Sequence, residues 1–105
     1  MAPNTFLGEF EQMVLLAILR LGNDAYGMEV RQEIQDRTGR DVSYGAVYTT
    51  LDRLARKGFV ADRLGDPTPE RGGRARRYFR VETSGAEALR WARQMMDVMW
   101  EGVSL

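Results

Sequence analysis

The 105-residue chain contains no cysteine and no histidine. Without cysteine there is no disulfide framework and no thiolate chemistry. Without histidine the commonest general base and the commonest metal ligand are both missing. The serines and threonines therefore have no imidazole to activate them. No glycine-rich loop runs into Lys-Ser or Lys-Thr to cradle a phosphate. No catalytic constellation, cofactor motif or metal-ligand set emerges, and the expectation is a protein that is not an enzyme. Long apolar runs are missing too. The longest, Met13–Leu19, has seven residues, against about 20 needed to cross a bilayer. The opening MAPNTFLGEF has neither the basic nor the apolar region of a signal peptide. A cytoplasmic protein without a membrane partner is expected.

Net charge is also lacking, but only in the total. Residues 1–52 sum to −4, residues 53–80 to +6 and residues 81–105 to −2. Within the basic third, ERGGRARRYFR (residues 70–80) packs five arginines around two glycines and a Tyr-Phe pair. Such a run is either a solvated face or a patch that focuses a field on an anionic partner. Its surroundings have to decide.

Those surroundings begin with helices. Phe6, Phe10, Met13, Val14, Ala17, Ile18 and Leu21 recur in steps of three and four, the helical period. They predict a first helix over about residues 5–21, stopped by Gly22. Asn23-Asp24 offers an N-cap for a second helix with Tyr26, Val30 and Ile34 inward, ended by Gly39. Ser43 caps a third, whose apolar stripe is Val47, Leu51 and Leu54 and whose stop is Gly58. The period then changes. FVADRL and YFRVE read as two antiparallel strands joined by a long polar hairpin, GDPTPERGGRARR. Ser84 to Glu87 forms a capping box for a last helix reaching about Glu101.

Helix, helix, helix, strand, wing, strand, helix is the order of a winged helix-turn-helix. The predicted class is mainly α with a small β-hairpin. Residues 1–83 form the winged-helix domain and residues 84–105 a C-terminal dimerisation helix. In this motif the start of the third helix enters the major groove of double-stranded DNA. Ser43, Tyr44, Tyr48, Thr49 and Arg53 are the candidate contacts there, with Arg53 read as lying further along the tyrosine side. On the wing the candidates are Arg71, Gly73, Arg74 and Arg76, since a guanidinium fork suits phosphate and a narrow minor groove. Tyr48, beside Val47 and Leu51, is equally compatible with a core position whose hydroxyl reaches the rim.

On the last helix Leu89, Ala92, Met96, Met99 and Val103 keep heptad spacing and predict a homodimer seam. The methionines and Trp100 also suit an adaptable ligand pocket. Phe10, Met95, Met99 and Trp100 are the candidate contacts for a small-molecule effector. A winged-helix module that binds an acidic protein instead of DNA is the alternative. RNA is a weaker one, because no stacking platform stands out in the sequence.

Three stretches resemble one family: YGMEVRQEI, SYGAVYTTLDRLARKGFV and GGRARRYFRVETSGAEAL. Together they are similar to the PadR family of bacterial transcriptional regulators, over roughly residues 7–90. The resemblance implies a winged-helix homodimer that represses transcription at a palindromic operator. It also implies release by a small aromatic or drug-like effector beside a tryptophan of the last helix, here Trp100. The chain departs from the family pattern at Thr49, where proline is common.

Overall fold

A computed structural model describes residues 6–65 and 76–105. The first helix, α1 (Glu9–Arg20), turns Val14, Leu15, Ala17 and Ile18 inward. It starts later than the apolar period suggests because Gly8 takes the N-cap position, where its N–H donates to Glu11 Oε1 at 2.8 Å. Gly22 (φ +89°) and Asn23 (φ +59°) then reverse the chain in left-handed backbone.

The second helix does not start at the predicted Asn23-Asp24 cap. Residues 25–26 are taken instead by a short strand, β1 (Ala25–Tyr26), and α2 spans Gly27–Thr38 behind it. Tyr26 is the N-cap, and its N–H donates to Glu29 Oε1 at 3.1 Å. Asn23 has a different task. Its Oδ1 accepts from the Val81 N–H at 2.7 Å, which pins the first loop to the end of a distant strand.

The third helix, α3 (Tyr44–Arg56), opens as expected on Ser43, whose Oγ accepts from the Ala46 N–H at 3.1 Å. Arg31 holds the intervening turn by donating from Nε to the Val42 carbonyl at 2.7 Å. The strands β2 (Val60–Leu64) and β3 (Arg77–Val81) pair antiparallel, with Asp62 opposite Phe79 and Arg63 opposite Tyr78. The sheet is therefore three-stranded, in the order β1-β3-β2, not the two-stranded hairpin predicted. Two residues carry too little pattern to announce a strand, and only pairing with β3 makes one.

The last helix, α4 (Thr83–Trp100), has Glu82 as its N-cap. The expected Ser84–Glu87 capping box is not formed. Ser84 Oγ donates to the Gly58 carbonyl at 2.7 Å instead, tying α4 to the turn after α3. Beside it, a Cβ on Gly85 would lie 2.4 Å from the Phe59 carbonyl oxygen, so only glycine permits this approach.

The core lies where the helices meet the sheet. Phe79, Leu15, Ile18, Leu51, Leu54, Val14, Val30 and Val47 are fully buried in it. Ala88 and half-buried Leu89 join from α4, and Ala92 is buried as well. Past Ala92, α4 leaves its own core, and Met95, Met96, Val98, Met99 and Trp100 are exposed.

Candidate nucleic-acid interface

Helical geometry divides α3 into two faces. Val47, Thr50, Leu51 and Leu54 are buried. Opposite them run Gly45, Thr49, Asp52 and Arg56, with Tyr44 and Tyr48 on one flank. Ser43, Tyr44, Gly45, Ala46 and Thr49 are all exposed at the start of the helix. Arg53 is exposed too, but it does not continue the tyrosine side. Nine residues at roughly 100° each place it about half a turn round from Tyr44. It looks toward Glu11, whose carboxylate feels its charge.

Tyr48 is wedged rather than free. A Cβ on Gly27 would come 2.6 Å from its ring, so the start of α2 packs directly on this tyrosine. The Tyr44 hydroxyl donates to the Tyr48 hydroxyl at 3.2 Å, and the two rings are 4.7 Å apart. Burial pushes the Tyr48 hydroxyl up to about 12. The core-and-rim alternative holds for Tyr48, while Tyr44 remains on the surface, braced by its neighbour.

The wing joins α3 through Arg77. Its Nη1 lies 3.2 Å from Asp52 of α3 and its Nε 2.9 Å from Asp62 of β2. The guanidinium also lies over the Phe79 ring, 4.9 Å from the centroid. Burial opposes its charge, but the two aspartates outweigh burial and raise its pKa above the usual arginine value. Arg76, expected among the wing-tip contacts, sits at the base and lies over the Tyr26 ring at 4.3 Å. Arg71, Gly73 and Arg74 lie outside the described residues.

Charge that is segregated along the sequence is mixed in space. Lys57 meets Glu11 at 2.7 Å, Arg63 meets Asp24 at 2.6 Å, and Arg80 meets Glu82 at 3.3 Å. With Arg77 and Asp52, four cations of the basic third take partners from the acidic flanks. Glu11 is nearly buried, and burial alone would raise its pKa. Lys57 and the Gly8 N–H outweigh this and hold its carboxyl below the ordinary carboxylate value.

The predicted dimer seam divides in two. Ala92 is buried and Leu89 half-buried by their own chain, because the first half of α4 leans on the core. Met96, Met99 and Val103 are exposed. The predicted effector residues do not gather either. Phe10 lies at the start of α1, with the Arg40 guanidinium 6.0 Å from its ring. Trp100 and Met96 line a groove of about 740 Å³ between α4 and α1, with Leu16, Leu19, Leu89 and Arg93 among the other lining residues. Met99 joins Trp100 in a neighbouring hollow of about 260 Å³, and Met95 lines neither. Sequence patterning alone did not single out Leu16 and Leu19, which are exposed on α1. It missed the position of Asp52 and Arg56 as well, although a helical projection of α3 would have shown it.

Three helices with a small antiparallel sheet folded against them define a winged helix-turn-helix protein. Among the described residues no helix is long and apolar enough to cross a membrane. Residues 15–91 match the transcriptional regulator PadR-like family. An uncharacterized protein of Lysinibacillus sphaericus, protein X, is 30% identical over 91% of this chain and 92% of its own length. The crystal structure of a PadR family transcription regulator from Clostridium difficile covers 90% of this chain and 93% of its own, with a TM-score of 0.73 at 18% identity. F93 from STIV, a winged-helix DNA-binding protein, covers 94% and 96%, with a TM-score of 0.65 at 15% identity. The chain belongs to the PadR-like family of transcriptional regulators. It is a DNA-binding regulator of transcription, not an enzyme.

Proposed function

We propose that this protein is a sequence-specific repressor that reads a palindromic operator as a homodimer. The observation that carries the reading is the start of α3. Ser43, Gly45, Ala46 and Thr49 are exposed there, small enough for close approach, beside a braced Tyr44. Small residues at the mouth of a recognition helix let its backbone come near base edges and phosphates. Arg56 extends the same outer stripe. The wing arginines Arg71 and Arg74 would contact adjacent phosphates or the minor groove.

The homodimer reading rests on α4. Met96, Met99, Trp100 and Val103 form an exposed apolar end, and Leu16 and Leu19 of α1 continue it across the groove. A surface of this kind on a regulator of this size fits a second copy of the chain. Two copies would set their recognition helices about 34 Å apart in successive major grooves. A small aromatic effector held by Trp100 and Met96 in the α1–α4 groove would change that separation and release the DNA.

The test is fluorescence anisotropy with duplex DNA from upstream of the protein's own gene and with an unrelated duplex, both titrated over salt. Preference for the upstream duplex is expected, with each phosphate contact contributing about −0.9 to the slope of log K against log salt. Equal, weak binding to both would refute an operator there, and no binding at low salt would favour a protein partner. Light scattering on the double variant M96K/M99K should show a monomer where the parent is a dimer. Quenching of Trp100 fluorescence by aromatic compounds, together with loss of DNA affinity, would support the effector step.

A further inference from the structure

We propose that Asp52 is a specificity-determining residue of the recognition surface, and that Arg77 is the positioning residue that holds it there. The inference rests on the DNA-reading function proposed above. Asp52 occupies the outer stripe of α3 between Thr49 and Arg56, and its side chain is 48% exposed. A carboxylate at that place is unfavourable for binding DNA in general. It approaches phosphates of its own sign, and nothing about an average sequence compensates it.

A base edge that donates a hydrogen bond does compensate it. The exocyclic amino group of cytosine, which projects into the major groove, is the donor that aspartate accepts from. Asp52 would therefore lower affinity for most sequences and spare those with cytosine at one position of each half-site. Discrimination then arises from repulsion as well as attraction.

Arg77 makes this work by fixing the carboxylate. One guanidinium nitrogen binds Asp52 from β3 while another binds Asp62 of β2, and the Phe79 ring backs the group. A carboxylate tied at one oxygen to a braced cation cannot swing away from the groove, yet its other oxygen stays available to a base. The same bond keeps Arg77 from serving as a phosphate contact in its own right. Two aspartates on one arginine leave the joint between helix and wing with a net negative charge.

The experiment selects bound duplexes from a pool of randomised 24-base-pair DNA with the full chain, and repeats it with D52N, D52S and D62N. The unselected pool is also titrated over salt with each protein. The parent should return a motif with a cytosine-dependent position. D52N and D52S should lose about tenfold of the preference at that position. They should also bind the unselected pool more tightly, because a carboxylate that repels phosphates is gone from the outer stripe of α3. D62N removes an equal charge from the same arginine but sits on β2, and should keep the parent's motif. Identical motifs and pool affinities for the parent and both Asp52 variants would overturn the proposal. Loss of the preference in D62N as well would overturn it too, since net charge at the joint would then suffice. A parent that selects no motif would instead refute the operator reading, and this inference with it.

Discussion

Replacing Gly27 with alanine tests how the recognition helix is held. Gly27 is the first residue of α2, where alanine is ordinarily harmless. Shedding glycine's unfolded-state freedom should even stabilise by about 0.4–1 kcal/mol. The structure opposes this. The new Cβ would lie 2.6 Å from Tyr48 Cε2, 2.7 Å from its Cζ and 3.0 Å from its hydroxyl oxygen. The ring is partly buried and hydrogen-bonded to Tyr44, so it cannot turn aside without losing packing. Overpacking of this kind costs about 1–3 kcal/mol. The clash should outweigh the entropy, leaving G27A destabilised by roughly 1–2 kcal/mol, or about 4–12 °C in Tm for a domain of this size. Y48A removes the obstacle at its own cost in packing. In the Y48A background G27A should then become neutral or stabilising, giving a coupling of about 1–3 kcal/mol in a double-mutant cycle. Urea unfolding at one fixed protein concentration is the assay, because a dimer's apparent stability depends on concentration. If G27A stabilises the parent as much as it stabilises Y48A, Tyr48 is not wedged against α2. The account of how Tyr44 is braced then fails.

Tyr48 should also ionise late. Its hydroxyl is pushed up to about 12, so in an absorbance titration one of the four tyrosines should lag behind the ordinary value of about 10. A group raised in the folded state stabilises fully below its unfolded pKa, so stability from Tyr48 should fade only between about pH 10 and 12, a loss that Y48F should not show. Glu11 behaves in the opposite sense. Its depressed carboxyl stabilises above the ordinary glutamate value of about 4.3, and that contribution should vanish as pH falls through the lowered folded value. K57M should cost about 2 kcal/mol at neutral pH by stranding the nearly buried carboxylate, and E11Q/K57M should recover part of it in thermal melts. G85A should destabilise by about 2–3 kcal/mol, because its Cβ meets the rigid Phe59 carbonyl, whereas G45A, with open space around it, should stay within about 0.5 kcal/mol of the parent.

The helices were legible because each carries a full amphipathic period and a local stop. Gly22, Gly39 and Gly58 all take positive φ where the sequence asked for an end, and Ser43 caps α3 as its position suggests. What escaped depends on partners distant in sequence. Ala25-Tyr26 becomes a strand because Phe79 and Tyr78 lie alongside it. Ser84 looks like a cap by spacing, but the Gly58 carbonyl, 26 residues earlier, takes its hydroxyl. Arg53 was misplaced by counting turns instead of angles. The α4 heptad was read as one seam because its spacing is uniform, and spacing does not reveal that Ala92 is already buried and Leu89 half-buried within their own chain.

The charge pattern carries a consequence for DNA binding. Summed along the chain, residues 53–80 hold +6, which would suggest a broad cationic surface. In the fold Lys57, Arg63, Arg77 and Arg80 each meet a carboxylate, and four of these carboxylates, Glu11, Asp24, Asp52 and Glu82, come from outside that segment. A cation already paired releases little counterion when a phosphate arrives, so it adds little to the salt dependence of binding. On the proposed reading, phosphate attraction would concentrate on arginines such as Arg56 at the outer edge of α3 and on those of the wing. It is interrupted at the joint between the two by Asp52 and Asp62. A neutral protein built this way gains less from indiscriminate attraction to DNA than its arginine count implies. On the proposed reading, more of its binding would come from the fit of α3 to particular bases, which is the property a regulator needs when operators are few and other sequences are many.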